Sequence, residues 1–238
     1  MAVTEVGTPT LGSDTGGGTI ISVGRTTSGG SKGLTVQMSW YNGSGAVAAP
    51  TLSWNGMAMT TVAQGDDTVV GGGEKRCAVY FLANPAAGSF TLTGTFSNTA
   101  FWRLVIREWS NSSTTHGGTS TRGDSGTPSV SVVSVVSGEV CLDAVCGNTP
   151  LAVGAGQNTT NSYNANLVGS QDGAASIDTS STGTVAMNWT SGSATWSIAA
   201  MALVEDASGP GAGSDTSPIG LTDTSTNLIL VGVIEETA

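Results

Sequence analysis

The residues able to do nucleophilic chemistry gather in one short stretch. Gly123-Asp124-Ser125-Gly126 spells the fragment that surrounds a serine-protease nucleophile, and the only histidine, His116, lies nine residues before Ser125. A Ser/His/Asp mechanism needs the base and its orienting carboxylate held around the nucleophile by rigid, separate elements. Ser125, His116 and Asp124 on a single Gly/Ser loop would lack that support, so the set is rejected and no catalytic residue is assigned. The overlapping Arg122-Gly123-Asp124 is an adhesive tripeptide, and Asn42, Asn111, Asn158 and Asn188 each begin an N-glycosylation acceptor. Matches this short arise by chance in a chain so rich in Gly, Ser and Thr, and they carry no assignment.

Metal and cofactor sites fare no better. One His and three Cys cannot furnish a clustered zinc set. Asp66 with Asp67, or Asp172 with Asp178, could offer carboxylates to calcium, but neither pair follows a calcium-loop spacing and both read as solvated loop acids. The Gly29-Gly30-Ser31-Lys32-Gly33 run lacks the frame of a phosphate loop. Cys141 and Cys146, five apart, should point to opposite faces of the chain, which disfavours a bridge between them. With Cys77 they are expected as small buried thiols. No metal, cofactor or catalytic group is therefore expected.

The elements that would position any site are written in the composition. Gly, Thr and Ser number 35, 34 and 30 of 238 residues, and charged residues make up only 10%. Gly and Thr disfavour helix interiors, while a hydrophobic share of 38% and a mean hydropathy of +0.11 do not suit a disordered chain. All seven basic residues lie within 1–122, and residues 123–238 hold eleven acids and no Lys or Arg. A net charge of −10 disfavours nucleic acid as a partner. Met1-Ala2-Val3-Thr4-Glu5 shows no basic or apolar leader region, so no signal peptide is expected. No apolar run approaches the ~18 residues of a membrane helix, and no membrane partner is expected.

Period-two alternation runs through the chain. Leu34, Val36, Met38 and Trp40 alternate with Thr35, Gln37 and Ser39, which predicts a strand with one wet face. Asn55-Gly56 marks a tight hairpin. Residues 77–82 read as a strand buried on both faces, and Trp102, Leu104 and Ile106 share one face of another. Residues 111–128 read as a long polar loop and 154–173 as a soft, aperiodic stretch. Strands are expected again at 130–136, 140–145, 185–189 and 196–204. About ten strands at this spacing predict an all-β protein, an antiparallel β-sandwich of jelly-roll type with extended terminal arms. The expected divisions are an N-terminal arm at 1–18, the sandwich at 19–206, and a linker with a C-terminal strand at 207–238. In that last part Leu228, Ile229, Leu230, Val231, Val233 and Ile234 form a candidate intersubunit strand, because an apolar strand after a Gly/Ser/Pro linker suits addition to a neighbour's sheet.

One combination is more specific than any short motif. The strand at 34–40 is followed by Leu52-Ser53-Trp54-Asn55-Gly56-Met57, then Tyr80-Phe81-Leu82-Ala83-Asn84-Pro85-Ala86-Ala87-Gly88. The series closes with Met187-Asn188-Trp189 and Trp196-Ser197-Ile198-Ala199-Ala200-Met201. This order resembles a β-sandwich family met in structural proteins of tailed bacteriophages and related prophage or bacterial surface proteins. The resemblance implies a non-enzymatic virion component, such as a capsid decoration or fibre-associated subunit, with no catalytic residues to carry over. It implies other virion proteins and further copies of the chain as partners, in a homo-oligomer made in a host cytoplasm. The alternative from another class is a secreted carbohydrate-binding or adhesin module using Tyr41 or Tyr163 as an exposed platform. Most of the six Trp residues fall on apolar faces of the expected strands, so core packing is the expected use for them.

Overall fold

A computed structural model describes residues 1–206, apart from 44, 46, 67–73, 125, 126, 149, 155–158 and 192–194; of the side chains at 159–162 nothing is described. Every regular element among the described residues is a strand. In chain order these are β1 (Thr4–Glu5), β2 (Thr10–Thr27), β3 (Gly33–Asn42), β4 (Thr51–Trp54), β5 (Met57–Ala58) and β6 (Thr60–Asp66). Next come β7 (Glu74–Ala83), β8 (Gly88–Ser110), β9 (Thr114–Gly123), β10 (Ser129–Val135) and β11 (Val140–Asn148). The last are β12 (Ala152–Val153), β13 (Thr159–Val168), β14 (Gln171–Asp178), β15 (Gly183–Thr190) and β16 (Trp196–Val204).

All strand pairs are antiparallel and fall into three sheets. The first runs β5-β4-β8-β3-β7-β6, with β1 and β2 also on β8; the second runs β13-β14-β11-β16-β9; the third is β10-β15-β12. The first sheet folds back on itself because β2 and β8 bend together. Their register breaks between Asp14 and Gly18 and again before Ile20, and Gly17 there takes a φ of 82°. One arm of β8 then pairs with β4 and the later half of β2, the other with β3 and the start of β2. Leu92 and Phe96 on the first arm meet Leu104 and Ile106 on the second in one core, with Trp40 and Trp54.

The result is a stack of β-layers with an apolar filling between each neighbouring pair. The flat face of the first sheet packs Cys77, Val79 and Phe81 against Leu142, Ala144 and Met201 of the second. The far face of the second sheet packs Val145, Ile198 and Ala200 against Val132, Met187 and Trp189 of the third. The central strands β3, β7, β11 and β16 are buried nearly throughout. The β-sandwich class is therefore as expected, while this strand order does not establish jelly-roll connectivity.

The Asn55-Gly56 hairpin forms as expected: Trp54 faces Met57, and both loop residues have positive φ, as a two-residue turn requires. The strand at 77–82 is buried on both faces. Three expectations are corrected. β3 has no wet face, since Thr35, Gln37 and Ser39 are as buried as their apolar neighbours. Residues 114–123 are a strand rather than a loop, paired along β16. Within the soft stretch, β13 pairs along β14. Residues 10–18, the later part of the N-terminal segment 1–18, form the first half of β2. The candidate strand at 228–234 lies outside the described residues.

Two glycines let the first two sheets touch. A Cβ at Gly118 on β9 would sit 2.5 Å from the Val62 carbonyl oxygen on β6, and one at Gly65 would sit 2.8 Å from that of Ile198. Backbone on both sides leaves nothing flexible to yield. Gly118→Ala is expected to destabilise the fold by about 1–3 kcal/mol through overpacking. A shift of the denaturant midpoint, with unchanged slope, checks it.

Candidate functional site

The residues with the richest chemistry lie between the layers. Gln37, in the middle of β3, donates from Nε2 to the carbonyl oxygens of Asp143 at 2.6 Å and Ser176 at 2.8 Å. Its Oε1 accepts from Arg107 Nε at 3.2 Å, and Arg107 Nη1 meets both Glu5 carboxylate oxygens at 2.5 Å. Two residues on, Ser39 Oγ donates to the Val145 carbonyl at 2.8 Å and shares a hydrogen bond with the Tyr163 hydroxyl at 2.9 Å. Trp109 Nε1 donates to Thr35 Oγ1 at 2.8 Å. Alternation along β3 aims these polar groups at the second sheet and the apolar ones at the first core.

Asp143 on β11 is the deepest charge in this system. Its Oδ1 accepts from the backbone N and Oγ of Ser176 at 2.7 and 2.9 Å, and its Oδ2 accepts from Trp189 Nε1 at 2.7 Å. It has no exposure to solvent. Burial pushes its carboxyl up from 3.8 to about 6, against the lowering pull of those donors. Burial also pushes the Cys77 thiol up to about 12 and raises the Tyr163 hydroxyl. Cys77 is thus protonated at neutral pH and unsuited to attack. Arg107 is lowered by burial, with the Glu5 carboxylate opposing.

The Asp143 shift has a measurable consequence. A folded-state value above the unfolded one means the native chain holds the extra proton, so this contribution is complete below about pH 4 and lost as pH rises through about 6. A shift from 3.8 to about 6 corresponds to about 3 kcal/mol. Wild type is therefore expected to lose about that much stability relative to Asp143→Asn between pH 4 and 7. Paired denaturation curves across that range check it, and a pH-independent difference would contradict the assignment.

The candidates raised by sequence separate in space. His116 Nε2 meets Glu139 Oε2 at 2.8 Å, and the same oxygen accepts from Val136 N at 3.0 Å. Asp124 lies beyond the other end of β9, so eight residues of extended chain, about 25 Å, part it from His116. Ser125 and Asp67 lie outside the described residues. Asp66 pairs with Arg76 at 3.2 Å, and Asp178 accepts from the backbones of Ser180 and Ser181. Asp172 accepts from Leu151 N. Among the described residues no three His, Cys, Asp or Glu side chains gather to hold a metal.

All three cysteines are buried. Cys141 faces the third sheet, whereas Cys146 Sγ donates to the Trp40 carbonyl on the first, so the two point to opposite faces. All six Trp residues are in the core. So is Tyr163, which removes it as an exposed aromatic platform; Tyr41 is half-buried. Asn42, first of the glycosylation acceptors, is buried with Nδ2 donating to the Thr99 carbonyl.

Among the described residues, five of the seven acids after Arg122 serve as internal acceptors. Glu139, Asp143, Asp172 and Asp178 are buried, and Asp206 Oδ1 accepts from Ser113 N and Oγ at 2.8 and 2.6 Å. Sequence reasoning missed Gln37, Arg107 and Glu5 as a linked set. Their only signal was a Gln between Val36 and Met38, on the β3 face shared by Thr35, Gln37 and Ser39.

Two surface features remain. A pocket of about 300 Å³ lies where Val6, Gly7 and Thr8 cross Arg25 and Glu108. A groove of about 550 Å³ on the outside of the bent sheet is lined by Ile20, Ser22, Thr51, Ser53, Thr93 and Thr95. Ile20 and Ser22 come from β2, a strand that pairs only with β8 among the described residues. No protein-family model, curated protein or solved structure matches the chain.

Proposed function

We propose that the chain is a non-enzymatic virion structural protein, a capsid decoration subunit that stabilises a phage particle through contacts between subunits. The observation that supports this reading is the outer edge of β2. This strand is eighteen residues long, carries only Asp14 and Arg25 as charges, and holds Leu11 at 59% and Ile20 at 67% exposure. A long edge with exposed apolar side chains and few charges is a template for pairing with another chain. The patterned resemblance to phage structural proteins points the same way. The apolar run Leu228, Ile229, Leu230, Val231, Val233 and Ile234 would add a second contact. Other virion proteins and further copies are the partners, and the site of action is the particle assembled from a host cytoplasm. Contacts of this kind stabilise a shell by mass action.

Purified particles from the source are expected to contain the chain in many copies, and particles stripped of it to disrupt at lower temperature until it is added back. Mass spectrometry should use a protease other than trypsin for 123–238, which has no Lys or Arg. Particles devoid of the polypeptide would overturn the reading.

A further inference from the structure

Residues 2–8 cross the chain as a strap. Val3 N donates to the Gly138 carbonyl at 2.8 Å, and the Val3 side chain is buried in the core between the first and second sheets. Thr4 and Glu5 pair with Ser110 and Trp109 on β8, and Val6 N donates to the Glu108 carbonyl at 2.8 Å. Glu5 meets Arg107, while the carbonyls of Val6 and Thr8 accept from Arg25 at 3.2 and 2.8 Å. Each of these bonds joins the strap to the body of the chain. Gly7, with a φ of 70°, Thr8 and Pro9 then link it to β2.

We propose that this strap exchanges between copies, so that residues 2–6 of one subunit take the same seat on its neighbour. The inference deepens the assembly reading above and rests on it. The occupant of the seat is set by the structure itself: the β8 edge, the Val3 hole and the two arginines already fit this sequence in its own chain. A second copy offers an identical segment, so exchange conserves the contacts of Val3 to Val6 and needs only a different path through the hinge at 7–9. Closed swaps of this kind are a low-cost route to association. Since Val3 bridges to the Gly138 turn, an exchanged strap would tie a neighbour across two sheets at once.

Thr4 and Ser110 face each other across β1 and β8, and both lie toward solvent. Such register partners lie within the span a disulfide bridges. Full-length Thr4→Cys and Ser110→Cys chains, mixed at high concentration and then oxidised, are expected to give a disulfide-linked dimer on a non-reducing gel. The double variant, oxidised while dilute, is expected to close on itself as a monomer and to lose at least tenfold in self-association, which reduction restores. The exchange is overturned if the mixture gives no linked dimer while wild type associates. It is equally overturned if the locked monomer associates as well as wild type, and either result leaves the assembly reading standing. A wild-type chain that stays monomeric and never enters particles overturns both.

Discussion

Replacing Trp189 by alanine is expected to be among the most damaging single changes in the chain, with a loss of about 4–8 kcal/mol. Trp189 lies in the third sheet with no exposure and packs into the core shared with Val145, Ile198 and Ala200. Truncating a buried Trp costs about 3–5 kcal/mol through lost contact and the cavity left behind. The indole also donates to Asp143 Oδ2, and stranding that buried oxygen adds about 1–3 kcal/mol. The total consumes much of the roughly 5–15 kcal/mol that holds a domain folded. Trp189→Phe separates the two effects, because it keeps most of the volume and loses only the donor. That variant is expected to lose about 1–3 kcal/mol at neutral pH and less at pH 4, where Asp143 is protonated. Urea denaturation of the three proteins at both pH values checks this. Equal losses for Phe and Ala would show that packing contributes little.

Trp189 also shows what can be read from order alone and what cannot. Val185, Met187 and Trp189 alternate with smaller or polar residues, and the inward face follows directly from a period of two. The same reasoning assigned Thr35, Gln37 and Ser39 to water, because a polar face beside an apolar one normally is wet. Here the covering strand β11 begins more than 100 residues later, and two of the three polar groups find partners on it: Gln37 and Ser39 donate to carbonyls of Asp143 and Val145, 106 residues away, while Thr35 accepts from Trp109 on β8. Local period reports that two faces differ, not what lies against them. β9 and β13 escaped notice for a related reason. Thr114, Thr115, Gly117 and Gly118 carry little apolar contrast, and their strand is held by pairing with β16 rather than by a buried stripe. The linked set of Glu5, Gln37 and Arg107 is opaque for the same reason, since the three meet only after β1, β3 and β8 have been laid side by side.

Arg25→Ala is expected to cost about 3–5 kcal/mol, and to do so by freeing the strap as well as by weakening the core. The guanidinium is almost wholly buried and lies 3.4 Å from Glu108, itself buried. It donates further to the carbonyls of Val6, Thr8 and Ile106 and to Thr10 Oγ1. Removing one partner of a buried pair leaves an uncompensated charge, which is the costly outcome. Glu108 would retain only the Ser28 backbone N and hydroxyl as donors. Neutralising it should therefore recover part of the loss, so that Arg25→Ala with Glu108→Gln is expected to be more stable than Arg25→Ala alone by about 1–2 kcal/mol. Hydrogen exchange provides the second readout. With Arg25 gone, the Val6 and Thr8 carbonyls lose their donor, and the amides of Val3 and Val6 should exchange faster than those of β3 or β11, whose ladders do not depend on it. Uniform acceleration across the chain would mean that Arg25 supports the whole fold equally. Acceleration confined to residues 2–8 would identify it as the latch that sets how readily the strap leaves its seat.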